Sequence, residues 1–440
     1  MYVCLFWHFH QPVYKDPDSG AFVLPWVNVH AVKNYRQMAV LAEETECPAT
    51  YNFVPCLLEQ IEDYVLGRAE DPYQRAMETS EEDLTERQRD LLRLIVPSGP
   101  TDRTIGSAAL ESLFSPVDAP GRRREDRLEL RRRILEGLIP SFRSLRDRGA
   151  AELTTSAQFH PLLPLICDLG VADGAAPGRP FRHPEDALEQ VRRGREVFAR
   201  FFGRGPAGFW PSEGGISNEV AETVRDGGCL YALTDENILW KSRPNLKHFS
   251  ARMKPYDCRG LTILFRDREL SDLIGFEYKS WNERDAVSDL LAKLRFRAGE
   301  AAEDAVTVIA LDGENPWAGY RDNGVPFLRE LYDRLRREPG LVPLTLSDYL
   351  EHAPRAEDIS LAPGTWLGSF AQWVGHPEKN GAWEALARAR EEAGAVEEIL
   401  IAEGSDWFWW YGEPGTGEFD RLFRGYLNRA LRREPRMSDA

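Results

Sequence analysis

Short apolar runs alternate with amphipathic stretches along most of this chain. Runs of about four to eight apolar residues predict buried strands, and apolar positions recurring with a 3.6-residue period predict helices. The predicted strands are Tyr2–Phe9, Ala49–Phe53, Ala151–Thr155, Ala207–Trp210, Leu230–Leu233, Leu261–Phe265, Val306–Leu311 and Leu341–Leu344. The predicted helices include Leu57–Leu66, Arg127–Arg148, Pro184–Phe202, Asp285–Phe296 and Val325–Arg337.

The alternation of strand and helix predicts an α/β fold with a parallel sheet or barrel. We assign residues 1–355 to a (β/α) barrel that carries a polar, Gly/Pro/Ser-punctuated insertion of helix and loop at about 67–124. Beyond it the strand pattern stops, and Ala382–Leu400 and Glu418–Leu431 read as helices. Residues 356–440 are therefore expected to form a C-terminal helical subdomain that contributes to the substrate cleft.

Charge and composition narrow the class of partner. The 440 residues have a formal net charge of −16, from 71 acidic against 55 basic side chains, so a nucleic acid would be repelled at long range. A hydrophobic share of 42% is enough for a sizeable core. Twelve of the aromatic residues are Trp, whose flat faces suit stacking on sugar rings.

Cysteine usage and the first residues predict a cytoplasmic protein. Six cysteines are scattered without any CxxC spacing, at Cys4, Cys47, Cys56, Cys167, Cys229 and Cys258, which indicates reduced thiols. Met1 leads directly into a strand-like run, with no basic segment and no cleavage site of the kind that signal peptides carry. Since no apolar run approaches the roughly 20 residues of a membrane span, no membrane partner is expected.

Three histidines stand at or just after the ends of early predicted strands. His8 and His10 lie on one face of the first strand because side chains alternate along a strand, and His160 follows the third. They could be hydrogen-bonded core histidines, contacts to sugar hydroxyl groups, or metal ligands. The last possibility gives an alternative function, a metal-dependent hydrolase that uses His8 and His10 with His160 and Asp312.

Two further strand ends deliver carboxyl groups. Trp210 ends an apolar strand, and Glu213 then emerges before two glycines that leave space for a bulky ligand. The buried run Val306–Leu311 ends at Asp312, with Glu314 and Trp317 close behind. Most Glu residues in turns are simply solvated and many Asp-Gly pairs are ordinary turns. Here the next predicted element is a helix, which removes the hairpin explanation for Asp312.

Glu213 and Asp312 together could be the carboxyl pair of a glycosidase. That chemistry needs one protonated acid at the leaving oxygen and one ionised carboxylate at the anomeric carbon. The acid needs a raised pKa, for which Trp210 and Trp317 could supply apolar neighbours. Near the C-terminus, Asp406 precedes five consecutive aromatic residues, Trp407 to Tyr411, which cannot all face one core. At least one of these rings is expected to line a substrate cleft.

Five segments resemble, in order, the motifs of glycoside hydrolase family 57. They are His10-Gln11-Pro12, Glu152 to Pro161, Trp210-Pro-Ser-Glu213, Leu311-Asp-Gly-Glu314 and Ser405-Asp-Trp. The likeness spans nearly the whole chain, includes Leu24–Tyr35 and Thr234-Asp-Glu236, and looks closest to the α-amylase and amylopullulanase branch. The insertion at 67–124 departs from that branch, because it is short and lacks a Trp-rich helical stretch.

The resemblance implies an incomplete (β/α)7 barrel with a helical C-terminal region and a retaining mechanism on α-1,4 and, in some members, α-1,6 glucosidic bonds. It makes Glu213 the nucleophile and Asp312 the general acid/base. The substrate contacts it suggests, with neighbouring aromatics added, are His10, His160, Trp210, Glu314, Trp317, Asp406, Trp407 and Trp409. No cofactor and no metal ion are expected.

The expected partner is an α-glucan of the maltodextrin or glycogen type. A 4-α-glucanotransferase or branching enzyme would use the same two carboxyls with a sugar hydroxyl as acceptor, so it stays open as an alternative. A non-catalytic glucan-binding protein is a further alternative, but it predicts a broken carboxyl pair, whereas Glu213 and Asp312 are both present. The sequence carries no signal for an oligomeric state.

Overall fold

A computed structural model describes residues 1–94, 124–172, 176–246 and 248–432, without the side chains of 93–94 and 124–127. Residues 95–123, half of the predicted insertion, therefore lie outside the described residues. The strands are β1 (Tyr2–Phe9), β2 (Ala49–Phe53), β3 (Ala151–Thr155), β4 (Gly208–Phe209), β5 (Tyr231–Asp235), β6 (Tyr256–Cys258), β7 (Leu261–Arg266), β8 (Val306–Asp312), β9 (Val342–Pro343) and β10 (Glu357–Asp358).

The helices lie outside the strands. In chain order they are α1 (Trp26–His30), α2 (Arg36–Thr45), α3 (Pro55–Val65), α4 (Pro72–Glu78), α5 (Glu86–Leu94), α6 (Arg124–Asp147), α7 (Leu163–Cys167), α8 (Pro184–Phe202), α9 (Asn218–Asp226), α10 (Glu236–Ser242), α11 (Arg268–Asp272), α12 (Glu283–Glu300), α13 (Val325–Leu335), α14 (Leu346–His352), α15 (Pro377–Ala393), α16 (Glu397–Ala402), α17 (Ser405–Trp410) and α18 (Gly417–Arg432). Short 3-10 and π-helical turns join several of them.

Seven parallel strands close into a barrel in the order β1-β2-β3-β4-β5-β7-β8. β8 returns to β1 over a long register that runs from Tyr2 opposite Val306 to His8 opposite Asp312. The closure between β7 and β8 is a single register pair, Arg266 opposite Val308. This architecture confirms the predicted (β/α)7 barrel with a helical C-terminal region.

One predicted strand is not part of the barrel wall. Residues 341–344 contribute only β9, which pairs with the start of β1. Pro343 has no N–H to donate, which limits pairing to a short edge contact. Conversely, β6 pairs antiparallel with β7 as an addition outside the barrel that the sequence pattern did not predict.

The alternation along β1 explains how the site is built. Leu5, Trp7 and Phe9 face outward into a core shared with the surrounding helices. Cys4 and Phe6 face inward, into a smaller core that fills the barrel and includes Tyr349 of α14. Since successive inward side chains move up the strand, His8 comes next above Phe6 and lies at the top of the filled interior.

The C-terminal helices pack onto the barrel through a third core. Trp383 of α15 and Leu422 of α18 share this core with Val191 of α8. The predicted helix Ala382–Leu400 is in fact two helices, α15 and α16, because Gly394 has a φ of 72° and ends α15. Antiparallel bridges join Pro161 to Gly404 and Ile216 to Gly364, and they bring two C-terminal loops against the barrel.

Across the described ranges, no helix combines the length and the apolar character that crossing a bilayer requires.

Candidate active site

Three histidines and a tryptophan meet where the carboxyl ends of the barrel strands give way to loops. The rings of His10 and His160 stack with their centroids 3.8 Å apart, and His160 stacks on His8 at 5.2 Å. The indole of Trp210 lies 5.9 Å from the ring of His8. These four side chains come from three segments, and the structure brings them together as parallel strand ends should.

Glu213 lies in a tight turn directly after β4. Its backbone has a φ of 58°, in the left-handed region, which costs a non-glycine residue about 1–3 kcal/mol. The backbone N–H of Trp366 donates to the Glu213 carbonyl at 3.0 Å, and the hydroxyl of Thr234 donates to the next carbonyl, that of Gly214, at 2.6 Å. The surrounding structure therefore imposes this conformation, which aims the carboxyl group into the site.

Each oxygen of the Glu213 carboxyl accepts one hydrogen bond. The indole N–H of Trp366 donates to Oε2 at 3.0 Å, and the hydroxyl of Ser405 donates to Oε1 at 3.1 Å. Both donors come from the C-terminal third of the chain. The orientation of the Glu213 carboxyl therefore depends on residues outside the barrel.

The Glu213 carboxyl has a strongly altered proton affinity. Burial raises its pKa to about 8, and the negative charges of Asp406 and Asp312 act in the same direction, against the hydrogen bonds from Ser405 and Trp366. Asp312 therefore lies close enough for its charge to act on Glu213. Carboxyls coupled in this way do not all ionise at neutral pH, so the cluster retains a proton.

Asp312 ends β8 and is partly buried at the site. The Nδ2 group of Asn315 donates to its Oδ2 at 2.8 Å. Burial raises the pKa of Asp312, partly offset by Asn315 and by the charges of His10 and Arg266. The next residue must be Gly313, since a Cβ there would lie 2.1 Å from the ring of Phe9. The Asp-Gly pair thus reflects close packing against β1 rather than a hairpin.

Glu314 braces the end of β1. Its Oε1 accepts hydrogen bonds from the backbone N–H of His10 and from the Nε2 group of Gln11, both at 3.3 Å. The side chain is 3% exposed, and burial raises its pKa well above the usual range. Glu314, which the sequence predicts as a substrate contact, therefore lies beneath His10 in the structure, behind the surface that a ligand would touch.

Asp406 and Ser405 fix the two upper histidines. His10 Nε2 lies 2.8 Å from Asp406 Oδ2, and His160 Nδ1 lies 3.1 Å from Ser405 Oγ. Because Ser405 gives its only hydroxyl hydrogen to Glu213, its oxygen accepts from His160, whose Nδ1 then carries the hydrogen. Burial lowers the pKa of His160 well below its usual value and that of His8 to about 3, so both rings are neutral.

Two of the predicted substrate contacts, Trp317 and Trp407, are buried in this structure. Trp317 has no exposed surface, packs against Trp7 with ring centroids 5.6 Å apart, and donates its indole N–H to the Gly313 carbonyl. Trp407 is 2% exposed and donates to the carbonyl of Ile401. Both rings belong to cores, where sugars have no access. Trp409 is partly exposed beside Trp373, with ring centroids 5.3 Å apart, and its contact with substrate stays a prediction.

Sequence reasoning missed the partners of Glu213. Ser405 stands beside the aromatic run described above, yet the hydrogen bonds of Trp366 and Ser405 to Glu213 span 153 and 192 residues of sequence. No local spacing predicts such contacts. In the sequence, the Gly364-Thr-Trp366 segment shows only an aromatic ring near a glycine. That is the one weak signal for a partner of Glu213.

A metal centre was one interpretation of the histidines. Potential ligand atoms of His10, His160 and Asp406 lie within 4.8 Å of one another. However, the two rings are stacked with an interplanar angle of 22°, so their in-plane lone pairs run side by side instead of converging on one ion. The geometry argues against a zinc site built from these groups as they stand.

Two partly buried carboxyls, one acting electrostatically on the other, lie above a parallel barrel beside the neutral His8 and His160 rings and a tryptophan. Enzymes acting on glycosidic bonds use this kind of centre. Comparison with protein families agrees with this class. The chain belongs to glycosyl hydrolase family 57, whose model matches residues 4–362. Comparison with curated protein sequences gives no match.

Solved structures share this fold. A family 57-type branching enzyme from Pyrococcus horikoshii superposes with a TM-score of 0.66 at 17% identity, over 98% of this chain and 88% of that chain. An alpha-amylase from Thermotoga maritima gives 0.63 at 15%, over 98% and 92%. A 4-alpha-glucanotransferase from Thermococcus litoralis gives 0.62 at 18%, over 98% and 59%. The (β/α)7 architecture is thus common to enzymes with different named activities.

Proposed function

We propose that this protein is a retaining glycoside hydrolase that cleaves α-1,4 glucosidic bonds of maltodextrin or glycogen-type α-glucans, with Glu213 as nucleophile and Asp312 as general acid/base. The observation that carries the proposal is the carboxyl pair: both groups are partly buried at one end of the barrel, and the charge of Asp312 raises the pKa of Glu213. Family membership supplies the reaction class.

The environments of the two carboxyls favour this division of roles. Glu213 receives two hydrogen bonds, from Trp366 and Ser405, and such bonds stabilise the ionised form that a nucleophile needs. Within the described part of the chain Asp312 receives one side-chain hydrogen bond, from Asn315, and burial raises its pKa, so we assign to it the proton that the leaving oxygen needs. In the proposed reaction Glu213 forms a bond to the anomeric carbon while Asp312 protonates the departing oxygen.

The second half of the reaction reverses the proton flow. Asp312, now ionised, removes a proton from the incoming water, whose oxygen attacks the anomeric carbon and displaces the Glu213 carboxylate. Two displacements at one carbon leave its configuration unchanged. Proton NMR of the first-formed product is therefore expected to show the α-anomer.

The histidines offer unused nitrogen atoms to the substrate. His10 Nδ1 and His160 Nε2 are buried and lack a hydrogen-bond partner within the described part of the chain. Buried polar atoms are normally paired, so these two are suited to bind hydroxyl groups of a sugar ring. Trp210, whose ring borders His8, gives an apolar surface next to them.

Transfer to a sugar hydroxyl is the alternative activity, and two structural neighbours are named as a branching enzyme and a 4-alpha-glucanotransferase. Incubation with maltoheptaose separates the two. Hydrolysis is expected to give only shorter oligosaccharides. Products longer than seven glucose units would show that the protein is a transferase instead. Pullulan as a second substrate tests cleavage of α-1,6 bonds, and amylose tests the preferred chain length.

Asp406 is expected to set the pH at which Glu213 ionises. Its charge is the largest of those that raise the pKa of Glu213, so Asp406→Asn lowers that pKa. Since the nucleophile acts ionised, the acidic limb of the kcat/KM profile is expected to move to lower pH by about one unit. Asp358→Asn, at an exposed carboxyl on β10, is the matched control and is expected to leave the limb in place. If the acidic limb of Asp406→Asn matches that of the wild type, Asp406 does not set the pKa of Glu213.

The cytoplasm is the proposed compartment. All six cysteines are free thiols and buried. Proteins of oxidising compartments commonly pair their cysteines, whereas cytoplasmic ones keep them reduced. Mass spectrometry after alkylation of the unfolded, unreduced protein is expected to count six labelled cysteines.

A further inference from the structure

Arg266 is the last residue of β7 and is almost completely buried, with 2% exposure. Its Nε atom lies 3.3 Å from Oδ2 of Asp235 on β5, and its Nη2 atom lies 2.7 Å from Oδ1 of Asp272 on α11. These ion pairs hold the guanidinium group at the top of the barrel, next to the single register pair that closes it between β7 and β8.

The guanidinium group also packs against the residue that holds Glu213. Its central carbon lies 5.6 Å from the centre of the Trp366 ring, within the range of a cation–π contact. Trp366 donates twice to Glu213, through its backbone N–H and through its indole N–H, both at 3.0 Å. Arg266 therefore lies behind the ring that orients one catalytic carboxyl.

The charge of Arg266 reaches the other carboxyl as well. It lowers the pKa of Asp312, together with the charge of His10 and against burial and the charge of Asp406. Glu213 and Glu314 also interact with Asp312. Among these groups Arg266 carries a positive charge that does not titrate, because a guanidinium group stays protonated throughout the working pH range.

We propose that Arg266 is a positioning residue for both catalytic carboxyls: it supports Trp366, which orients Glu213, and it places a permanent positive charge beside Asp312. This inference rests on the proposed function of the site. It assigns a catalytic consequence to a buried arginine that could otherwise serve only to tie β5, β7 and α11 together.

Arg252 provides a matched control in the same molecule. It is 6% exposed, pairs with Asp267 at 2.5 Å and with Glu236 at 2.9 Å, and lies 5.7 Å from the ring centre of Phe249. Like Arg266, it is a buried arginine with two carboxylate partners and one aromatic ring within cation–π range. Among the described residues, neither Phe249 nor Asp267 contacts Glu213 or Asp312. A substitution of Arg252 therefore removes buried ion pairs without touching the carboxyl pair.

The experiment compares Arg266→Gln and Arg266→Lys with Arg252→Gln and Arg252→Lys. For each variant, kcat, KM and the pH profile of kcat/KM are measured on maltoheptaose, with the folded fraction determined by circular dichroism. Arg266→Gln removes the charge, so the pKa of Asp312 rises and the basic limb moves up by about half a unit or more. Its kcat is expected to fall at least tenfold with a much smaller change in KM, because Trp366 no longer holds Glu213 in place.

Arg266→Lys separates the two effects. A lysine keeps the positive charge but not the planar group that stacks on Trp366, so the basic limb is expected to stay near that of the wild type while kcat still falls. If Arg266→Gln does not fold, Arg266→Lys against Arg252→Lys still decides the question. Equal kcat and equal pH limbs in the Arg266 and Arg252 variants, per folded molecule, would overturn the inference. A wild-type protein inactive on every α-glucan would refute the proposed function, and this inference with it.

Discussion

Glu213→Gln is expected to lower kcat on maltoheptaose by about three orders of magnitude or more, which corresponds to about 4 kcal/mol of lost transition-state stabilisation. Gln has nearly the same shape as Glu, and its amide oxygen can still accept a bond from Trp366 or Ser405. What it lacks is the negative charge and the ability to form the bond to the anomeric carbon. Substrate binding, measured by calorimetry, is therefore expected to survive.

A second variant tests the nucleophile directly. Glu213→Ala leaves space in which an external anion such as azide can attack the anomeric carbon, and we expect azide to restore part of the activity with an inverted glycosyl azide as product. Glu277→Gln, at an exposed carboxyl, is the control and is expected to behave as the wild type. Near-normal turnover by Glu213→Gln would rule out the assignment.

Asp312→Asn is expected to slow natural α-1,4 substrates by about two to four orders of magnitude, and activated aryl α-glycosides much less. A poor leaving group needs a proton from Asp312, whereas an aryl oxygen with a low pKa departs without one. The hydrogen bond from Asn315 can persist, because an amide oxygen remains at the acceptor position in one orientation of the new side chain. The two substrate classes are compared by their kcat/KM values.

Asp312→Asn also affects the second displacement. Without a general base the covalent intermediate on Glu213 is hydrolysed slowly, so it is expected to accumulate with an aryl substrate and to appear as a mass increment on the intact protein. Loss of the basic limb from the pH profile is the accompanying sign, since burial raises the pKa of Asp312 and its protonated form acts first. Equal slowing of both substrate classes would argue against the acid role.

The strands could be predicted well where a buried apolar run has clear ends. β1, β2 and β3 have the predicted bounds because each run is closed by proline, polar or charged residues. β4 is shorter than predicted, since only Gly208 and Phe209 pair before the chain turns toward Glu213. Three-residue β6 carries too little pattern to be predicted from single residues.

The site could be predicted only as far as chemistry is local. His10, His160 and Glu213 follow strands and Asp312 ends one, and parallel strands deliver such residues to one end of a barrel. The contacts from Ser405 and Trp366 depend on how the last third of the chain docks, which no local pattern encodes. The same limit explains Trp317 and Trp407, because a tryptophan in sequence looks alike whether it fills a core or lines a cleft.

The dependence of Glu213 on Trp366 and Ser405 has a consequence for biosynthesis. A ribosome that has completed the seven barrel strands has made a chain in which the Glu213 carboxyl still lacks both of its hydrogen-bond donors. The nascent enzyme is expected to stay silent until the final helices emerge from the exit tunnel and dock. Incomplete translation products, even well-folded ones, would then be inactive.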